Sequence, residues 1–248
     1  MTADNKALAY KKRSYRQKVH RHGLTSFNIV VQETDLLIHT RRNLSVLAKE
    51  SVLKYRGYIE AYIKKYPTFA KTLTPWPINE PCAPIIQSMT DAGTTAGVGP
   101  MAAVAGAVAE YTGHDLLDNS DEVIVENGGD LFLKTNTPAD VAVFAGSSPL
   151  SMRLAIRVDS GATPVSVCTS SGTVGHSFSH GRADCVCVVS PSGTIADASA
   201  TAIGNYVHSK ADIQKAIEFG KTIDKVLGLI VIVEDGIGFW GDLDIIPL

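Results

Sequence analysis

EVIVENGGDLFLKT, at residues 122–135, is the stretch that decides the fold, because it predicts a tight β-hairpin. A β-branched run at 123–125 leads into Asn-Gly-Gly-Asp at 127–130, and Leu-Phe-Leu follows at 131–133. Asn-Gly between two strand-like runs is the strongest short-range hairpin signal, because such a turn needs residues that tolerate positive φ. The turn explains the Asn and the Gly but not the additional Asp130. This stretch therefore predicts antiparallel strands and leaves one carboxylate for chemistry to explain.

Outward from this hairpin, the chain alternates strand-like runs with helical segments. Further strand candidates are a pair at 26–40 joined by a turn at 33–35, and runs at 141–146, 152–159, 164–170, 184–190, 227–235 and 238–248. The helical candidates are 43–67, an Ala-rich segment from Pro100 to Gly113, 195–207 and 211–223. The strands come in antiparallel-looking pairs without regular βαβ alternation. We therefore predict an α+β fold with helices on one side of an antiparallel or mixed sheet.

The composition describes an ordinary globular chain with a basic start. Of 248 residues, 45% are hydrophobic and 19% charged, and the net charge is -2, which points to no nucleic-acid or membrane partner. Residues 1–22 nevertheless hold seven Lys or Arg side chains against the single acid Asp4. We predict a basic N-terminal arm at 1–22 and a single domain at 23–248. The arm is either a solvated segment or one that covers an anionic ligand or a partner subunit.

No stretch of the sequence has the pattern of a targeting or membrane-spanning segment. The N-terminus lacks the apolar run of a signal peptide, and no uncharged apolar run approaches the roughly 20 residues of a membrane span. The cysteines are too few and too irregularly spaced for a disulfide framework. They are Cys82, Cys168, Cys185 and Cys187. We therefore expect a cytoplasmic protein, and homo-oligomer formation stays open.

Most of the chemically informative residues lie between 166 and 201. TSSGTVG (169–175) follows a predicted strand and combines hydroxyls with glycines, which suits it to cradling a phosphate with backbone amides. His180 and Arg182 come next and could pair with anionic oxygens. The cofactor-binding candidates within this loop are Thr169, Ser170, Ser171, Gly172 and Thr173.

Asp197 and Thr201 lie four residues apart in IADASATAIGN (195–205), on one face of the predicted helix. Together they could hold Mg²⁺, which takes a few carboxylate or hydroxyl oxygens plus phosphate oxygens. The structural alternative is a small-residue packing helix in which Asp197 is a capping residue. A Gly-rich segment at 93–99 presents a similar choice between an anion site and close helix–sheet packing.

Two other kinds of site compete for the same region. His176, His180, Cys185 and Cys187 supply four zinc ligands in the pattern H-x3-H-x4-C-x-C. The two cysteines alternate with valines on a predicted strand, however, and fit core packing as well. The serines and histidines between 170 and 180 allow a serine hydrolase, although the sequence contains no G-x-S-x-G elbow.

The order of three motifs resembles that of the ApbE-like superfamily, the FAD:protein FMN transferases and their relatives. ENGGDLFL (126–133), FSHGRAD (178–184) and ADASATAIGN (196–205) follow one another as the corresponding motifs do there. The likeness is closer to a cytoplasmic branch that carries GVGPMAAVAG, GTVGHSFSHGRAD and a terminal aromatic–Gly–Asp segment, and it runs from about Tyr15 to Leu248. The resemblance implies a T-fold-like α+β architecture with antiparallel strands and paired helices.

The resemblance also implies roles for individual residues. Asp197 and Thr201 match the two Mg²⁺ ligands of the transferases. A backbone carbonyl of the GVGP turn, at Gly97 or Gly99, would be a further ligand. The residues that would border the flavin nucleotide pocket are those of the G-G-D turn, Gly128, Gly129 and Asp130.

Near the FAD pyrophosphate the resemblance places Ser179 and His180, and it makes Asp197 and His180 the catalytic candidates. The implied mechanism is electrostatic. Mg²⁺ and hydrogen-bond donors polarise the pyrophosphate while a hydroxyl of an acceptor protein attacks, so that FMN is transferred and AMP leaves. The transferases have a lysine in the loop where this sequence has Pro100.

Two functions of different classes follow from these residues. The first is a Mg²⁺-dependent enzyme that acts on a flavin nucleotide, either an FMN transferase with an acceptor protein or a pyrophosphatase that cleaves FAD to FMN and AMP. The second is a non-catalytic binding or sensing protein for a phosphorylated ligand. A shared fold does not choose between them, but turnover of FAD would.

Overall fold

The computed structural model describes residues 23–172 and 181–248, which form eleven strands and five α-helices. The strands are β1 (Thr25–Val31), β2 (Thr34–Thr40), β3 (Val123–Asn127), β4 (Asp130–Lys134), β5 (Ala139–Ala142), β6 (Leu154–Val158), β7 (Val165–Ser170), β8 (Cys185–Ser190), β9 (Gly228–Val233), β10 (Gly236–Gly241) and β11 (Asp244–Pro247). The α-helices are α1 (Ser45–Lys65), α2 (Pro84–Ala96), α3 (Val104–Leu117), α4 (Gly193–Asn205) and α5 (Ile213–Lys221). Short 3-10 turns lie at Pro67–Ala70, Pro100–Ala103 and Lys210–Asp212.

The strands build two sheets, and all the strand pairs of the described residues are antiparallel. The large sheet has eight strands in the order β1-β2-β3-β4-β7-β8-β9-β10, and the small sheet has the order β11-β6-β5. The predicted α+β fold is confirmed. Of the two sheet types that the prediction allowed, the structure has the antiparallel one.

The helices cover one face of the large sheet, and the small sheet covers the other. Phe132 and Val186 point into the helix-side core, whereas their neighbours Leu133 and Cys187 point into the core between the two sheets. Successive side chains of a strand point to opposite faces, so each central strand contributes to both cores. This burial on two sides explains why central strands such as β8 are apolar along their whole length.

β3 and β4 form the hairpin that the sequence predicts. Asn127 pairs with Asp130, and between them Gly128 and Gly129 have φ angles of 69° and 117°, which L side chains rarely adopt. β4 also pairs with β7, so the G-G-D turn lies beside the strand that leads into T-S-G. The hairpin therefore brings two of the predicted motifs together near the middle of the large sheet.

The Gly-rich segment before the Ala-rich helix is more helical than predicted. Gly93 lies inside α2, and the chain leaves this helix only at Gly97, whose φ is 76°. α3 then runs to Leu117, beyond the predicted end at Gly113. A Cβ on Gly113 would lie 2.2 Å from Cδ1 of Phe132. This glycine therefore serves a close helix–sheet contact and does not end the helix.

The last strand candidate, 238–248, is two strands in different sheets. β10 ends the large sheet at Gly241, and β11 begins at Asp244 in the small sheet. Gly241 has a φ of 99°, and a Cβ there would lie 2.2 Å from the carbonyl oxygen of Leu227. Only glycine lets the chain turn this closely between the two sheets. The strand-like composition of 238–248 did not reveal this turn and therefore predicted one continuous strand.

The other predicted boundaries shift by a few residues, as expected for element ends. The first hairpin turns at 32–33 instead of 33–35, the helix at 195–207 begins and ends two residues earlier, and the strand at 141–146 becomes 139–142. The prediction of a basic arm at 1–22 lies outside the described residues. The division of the chain into an arm and one domain therefore stays a prediction.

Within residues 23–172 and 181–248, no single helix is long and apolar enough to cross a membrane. The segments Pro84–Ala96 and Pro100–Leu117 reach that length and apolar composition only together, and the chain is bent by 107° between them.

Candidate functional site

α4 carries Asp197 and Thr201, and its start explains why Asp197 is not the cap of this helix. Ser192 is the N-cap residue, and its Oγ accepts a hydrogen bond from the N–H of Ile195 (3.5 Å). Asp197 lies in the second turn, where a side chain cannot reach the free N–H groups of its own helix. The alternative in which Asp197 caps α4 is therefore wrong.

Asp197 caps the neighbouring helix α3 instead. Its Oδ2 accepts the N–H of Gly106 at 2.8 Å, in the first turn of α3, which has no capping side chain of its own. The carboxylate thus meets unpaired N–H groups and the positive end of a helix dipole. Burial raises the pKa of Asp197 to about 7, against the lowering effect of the N–H groups of Gly106 and Ala105.

Asp130, the residue that the hairpin turn left unexplained, lies close to Asp197 in the same buried layer. Asp130 is 6% exposed, and its Oδ1 accepts the N–H of Thr169 at 3.2 Å. Burial raises the pKa of Asp130 well above its usual value, and the charge of Asp197 raises it further. A buried carboxylate whose ionisation is disfavoured by a second buried carboxylate marks a place where a cation would be stabilised.

The G-G-D turn is attached both to β7 and to the start of α3. The hydroxyl of Thr169 donates to the carbonyl oxygen of Gly129 (3.1 Å), and the N–H of Gly129 donates to Oε1 of Glu126 (3.1 Å). Asn127 donates from Nδ2 to the carbonyl oxygen of Ala105 (3.1 Å). Asn127 therefore fixes the turn against α3, a role beyond the turn conformation that the sequence predicts.

Thr201 follows Asp197 by one helical turn and is half-buried, so hydroxyl and carboxylate share one face of α4. The described residues contain no cluster of three or more His, Cys, Asp or Glu that could hold a metal ion. The available donors are the oxygens of Asp130, Asp197 and Thr201. They suit Mg²⁺, which takes one or two carboxylates and completes its shell with water and substrate phosphate. The residues present therefore fit Mg²⁺ without forming an all-protein cage.

The predicted metal role of Gly99 finds a competing explanation in backbone packing. A Cβ on Gly99 would lie 1.9 Å from the carbonyl oxygen of Thr72, so the GVGP turn fits closely against the Pro-rich connector. The carbonyl oxygen of Gly99 accepts the N–H of Ala102 (3.1 Å) at the start of the 3-10 turn. Gly97 is explained by the end of α2. The role of Gly99 as a ligand stays a prediction.

The predicted phosphate loop at 169–175 is partly strand. Thr169 and Ser170 belong to β7, and the buried hydroxyl of Ser170 makes no hydrogen bond to any described residue. Ser171 and Gly172 follow the strand and lie at the edge of the described region. The other predicted binding residues here, Thr173, Ser179 and His180, lie outside the described residues, and their roles stay predictions.

Arg182 lies near the end of α4, away from the carboxylate pair. The preceding Gly181 touches the helix backbone, because a Cβ there would lie 1.8 Å from the carbonyl oxygen of Gly204. Gly204 is seven residues beyond Asp197, which is about 10 Å along the helix. The other charged or titratable residues of the groove that Arg182 lines are Asp184, His208, Lys210 and Glu234. Arg182 is exposed, and its role in nucleotide binding stays a prediction.

Cys185 and Cys187 lie on the opposite face of the large sheet from the carboxylate pair. Both are buried in the core between the two sheets. Burial raises the pKa of Cys185 to about 12 and that of Cys187 well above its usual value. Zinc binds the thiolate form of cysteine, which a raised pKa disfavours. The surroundings of Cys185 and Cys187 are therefore those of core side chains. The other two residues of the zinc pattern, His176 and His180, lie outside the described residues.

Glu110 on α3 is a half-buried carboxylate that the sequence patterns did not single out. Its Oε2 accepts the N–H of Thr194 (3.1 Å) and lies 3.4 Å from the hydroxyl of Ser192, which donates to it. Burial raises the pKa of Glu110. The sequence feature that could have pointed to Glu110 is its position as the single acid of an Ala-rich apolar segment. An acid in such surroundings usually has a hydrogen-bond partner.

Comparison with known proteins gives one family and a group of curated relatives. The family model described as AbpE bacteria matches residues 16–235. A UPF0280 protein of Methanococcus aeolicus is 38% identical, over 84% of this chain and 88% of its own length. A UPF0280 protein of Methanococcus vannielii is 39% identical, over 89% of this chain and 92% of its own length.

Two solved structures share the fold. The flavin transferase ApbE from Vibrio cholerae superposes with a TM-score of 0.56 at 12% identity, over 88% of this chain and 96% of that chain. The apo form of the Pseudomonas stutzeri flavinyl transferase ApbE gives 0.52 at 12% identity, over 88% and 94%. At this identity the likeness shows a common fold, and the chemistry has to be argued from the side chains.

Proposed function

The chain belongs to the AbpE bacteria family, and on this premise we propose that it is a Mg²⁺-dependent protein that binds a flavin nucleotide and transfers FMN. One observation carries the proposal. Asp130 and Asp197 are both buried and their charges interact, Asp197 caps the start of α3, and Thr201 lies one turn further along α4. Structures with the same fold are named flavin transferases, which makes FAD the substrate to test.

Asp130, Asp197 and Thr201 would hold Mg²⁺, and the metal would supply positive charge to the pyrophosphate oxygens of FAD. Asp197 has two tasks in this arrangement, since Oδ2 also receives the N–H of Gly106. That hydrogen bond orients the carboxylate before any ligand arrives. Pre-orientation of this kind reduces the reorganisation that binding would otherwise require.

The G-G-D turn and the start of T-S-G would form the wall of the flavin nucleotide pocket. Gly128 and Gly129 leave the turn free of side chains, so a nucleotide could approach the backbone closely. Arg182, exposed near the end of α4, would pair with a phosphate oxygen. Ser179 and His180 are predicted to lie near the pyrophosphate.

In the proposed reaction, a hydroxyl oxygen of an acceptor protein bonds to the phosphorus of the FMN half of FAD. The P–O bond to the AMP half breaks, AMP leaves with the bonding electrons, and the hydroxyl proton is released to a base or to water. His180 is the candidate base. With water in place of the acceptor hydroxyl, the products would be FMN and AMP, which is the pyrophosphatase form of the same chemistry.

A second candidate function, non-catalytic binding of a phosphorylated ligand, is favoured by one feature of the sequence. The GVGP turn has Pro100 where the transferases have a lysine, so a positive charge expected near the phosphates is missing. The pocket could then hold a nucleotide without processing it. A cytoplasmic location and the absence of membrane and nucleic-acid partners remain part of the proposal.

Incubation of the full chain with FAD and Mg²⁺, followed by mass analysis, tests the proposal. Flavinylated protein with AMP would support transfer, and free FMN with AMP would support the pyrophosphatase. A bound FAD that survives unchanged would establish the binding function and overturn the enzymatic one. No retention of FAD, FMN or ADP with or without Mg²⁺ would contradict a flavin-nucleotide pocket altogether.

A further inference from the structure

Glu110 is a half-buried carboxylate that no step of the proposed reaction uses. It lies on α3, four residues after Gly106, which is the residue whose N–H bonds to Asp197. Its own contacts are with the start of α4, at Ser192 and Thr194. Glu110 therefore connects the helix that precedes the hairpin to the helix that carries the proposed Mg²⁺ ligands.

The starts of α3 and α4 are in direct backbone contact. A Cβ on Gly106 would lie 2.2 Å from the carbonyl oxygen of Gly193, and a Cβ on Gly193 would lie 2.7 Å from the carbonyl oxygen of Gly106. Any larger residue at either position would push the helices apart. The two glycines thus fix how closely the first turns approach, and they leave no side chain between them.

Each helix places a carboxylate at the start of the other. Asp197, four residues after Gly193, accepts the N–H of Gly106 at 2.8 Å. Glu110, four residues after Gly106, accepts the N–H of Thr194 at 3.1 Å. The exchange is reciprocal, with the same spacing in both directions. Each acid meets the positive end of the partner helix, so the two contacts stabilise the same relative position of α3 and α4.

We propose that Glu110 is a positioning residue for the cation site, because it holds the start of α4 and thereby the location of Asp197 and Thr201. The inference rests on the proposed function, in which those two side chains bind Mg²⁺. Glu110 does not contact the cation in this proposal. Its Oε2 is engaged by the N–H of Thr194 and by the hydroxyl of Ser192, and it acts through α4.

The position of α4 matters because its own cap is weak. The bond from the Ile195 N–H to Oγ of Ser192 is 3.5 Å long, at the limit of a hydrogen bond. The shorter bond at this helix start is the one to Glu110. Without Glu110, the first turn of α4 would lose its better side-chain acceptor, and Asp197, one turn later, would be held less firmly against the start of α3.

The test measures Mn²⁺ affinity, with Mn²⁺ as the Mg²⁺ probe, by calorimetry on the full chain. Glu110→Ala is expected to weaken binding about tenfold, as removal of a partner that orients a metal ligand usually does. Glu110→Gln, which keeps the length and one acceptor oxygen, is expected to restore most of the wild-type affinity. Rescue by glutamine identifies the hydrogen bond to the helix start as the relevant contact.

A matched control separates positioning from general loss of stability. Ile217→Val leaves a small cavity under α5, far along the chain from the cation site, and should lower Tm by about 2–4 °C. It should leave Mn²⁺ affinity unchanged. If Ile217→Val weakened binding as much as Glu110→Ala, or if Glu110→Ala bound Mn²⁺ like the wild type, the inference would be wrong. Should Glu110→Ala fail to fold, the Mn²⁺ affinities of Glu110→Gln and Glu110→Asp decide instead. The inference then requires that Glu110→Asp, whose shorter side chain cannot reach the start of α4, binds Mn²⁺ more weakly than Glu110→Gln.

Failure of this inference is distinguishable from failure of the proposed function. If the wild type binds no Mn²⁺, or if Asp197→Ala binds it unchanged, the metal site itself is wrong. If Asp197→Ala loses binding while Glu110→Ala keeps it, only the positioning role of Glu110 is overturned.

Discussion

The two faces of the large sheet bury different chemistry. On the helix side, Asp130 and Asp197 lie close together and Glu110 lies nearby, whereas the face under the small sheet is apolar and takes in Cys185 and Cys187. On the helix side the starts of α3 and α4 offer N–H groups that their own helices cannot use. The core on the other face is built from side chains of the two sheets and their loops. Helix starts therefore supply donors to Asp197 and Glu110, whereas Asp130 takes its hydrogen bond from the backbone of β7.

A carboxylate moved to the apolar face should show the largest effect. Cys187→Asp would place an acid among side chains that offer no donors, and we expect the free energy of unfolding to fall by about 4 kcal/mol. Cys187→Ala, which only leaves a small cavity, should cost clearly less. Urea unfolding followed by circular dichroism measures both. Equal losses for the two variants would show that the faces do not differ as described.

Removal of the acid from the helix face should abolish cation binding while the fold survives. Asp197→Ala is expected to weaken Mn²⁺ binding by at least about 100-fold in calorimetry, since a direct ligand is lost. Loss of its cap on α3 should cost only about 0.5–2 kcal/mol. Asp224→Ala removes an exposed acid and serves as the control. Unchanged Mn²⁺ affinity in Asp197→Ala would contradict the metal interpretation.

The pH dependence of stability should reveal the partial burial of Glu110. Burial raises its pKa in the folded protein, so its favourable contribution is complete below the unfolded pKa of about 4.3 and is lost as the pH rises through the folded pKa. Glu110→Gln cannot ionise. We therefore expect the wild type to lose stability relative to Glu110→Gln as the pH rises above about 4. A stability difference that grows in favour of the wild type over this range would contradict the assignment.

The smallest effect is expected at the outer edge of the site. Arg182 is exposed, and a solvent-exposed ion pair contributes at most about 1 kcal/mol, so Arg182→Ala should weaken ADP or FAD binding by up to about fivefold. Arg153→Ala removes an equally exposed arginine elsewhere and should change nothing. Equal affinity of Arg182→Ala and the wild type in a fluorescence titration would remove Arg182 from the nucleotide site.

Local sequence patterns predicted much of the fold and the placement of the candidate metal ligands Asp197 and Thr201 on one helix face. The hairpin at 122–135 formed as expected, because Asn127 and the two glycines have few other conformations available at a two-residue turn. The pairing of Asp197 with Thr201 on one helical face also follows from spacing alone. Both predictions depend on neighbours within a few residues, which is the range where sequence patterns are informative.

Contacts between distant segments could not be predicted in the same way. The capping of α3 by Asp197 joins residues 91 positions apart, and the bond between Glu110 and Thr194 joins residues 84 positions apart. The sequence analysis took Asp197 either as a ligand or as the cap of its own helix. The structure shows a third possibility, in which the acid caps another helix and still lies beside Asp130.

The sequence by itself determined the α+β class, the turn at Gly128 and Gly129, and the family to which the chain belongs. Those features rest on backbone conformation and on motif order, which are local. Only the tertiary structure decided that Asp130 and Asp197 share one buried layer, that Glu110 holds the start of α4, and that Cys187 faces an apolar core. The physical reason is that burial and helix-to-helix contacts set the surroundings of a carboxylate or thiol, and those surroundings are assembled from segments that lie far apart in the chain.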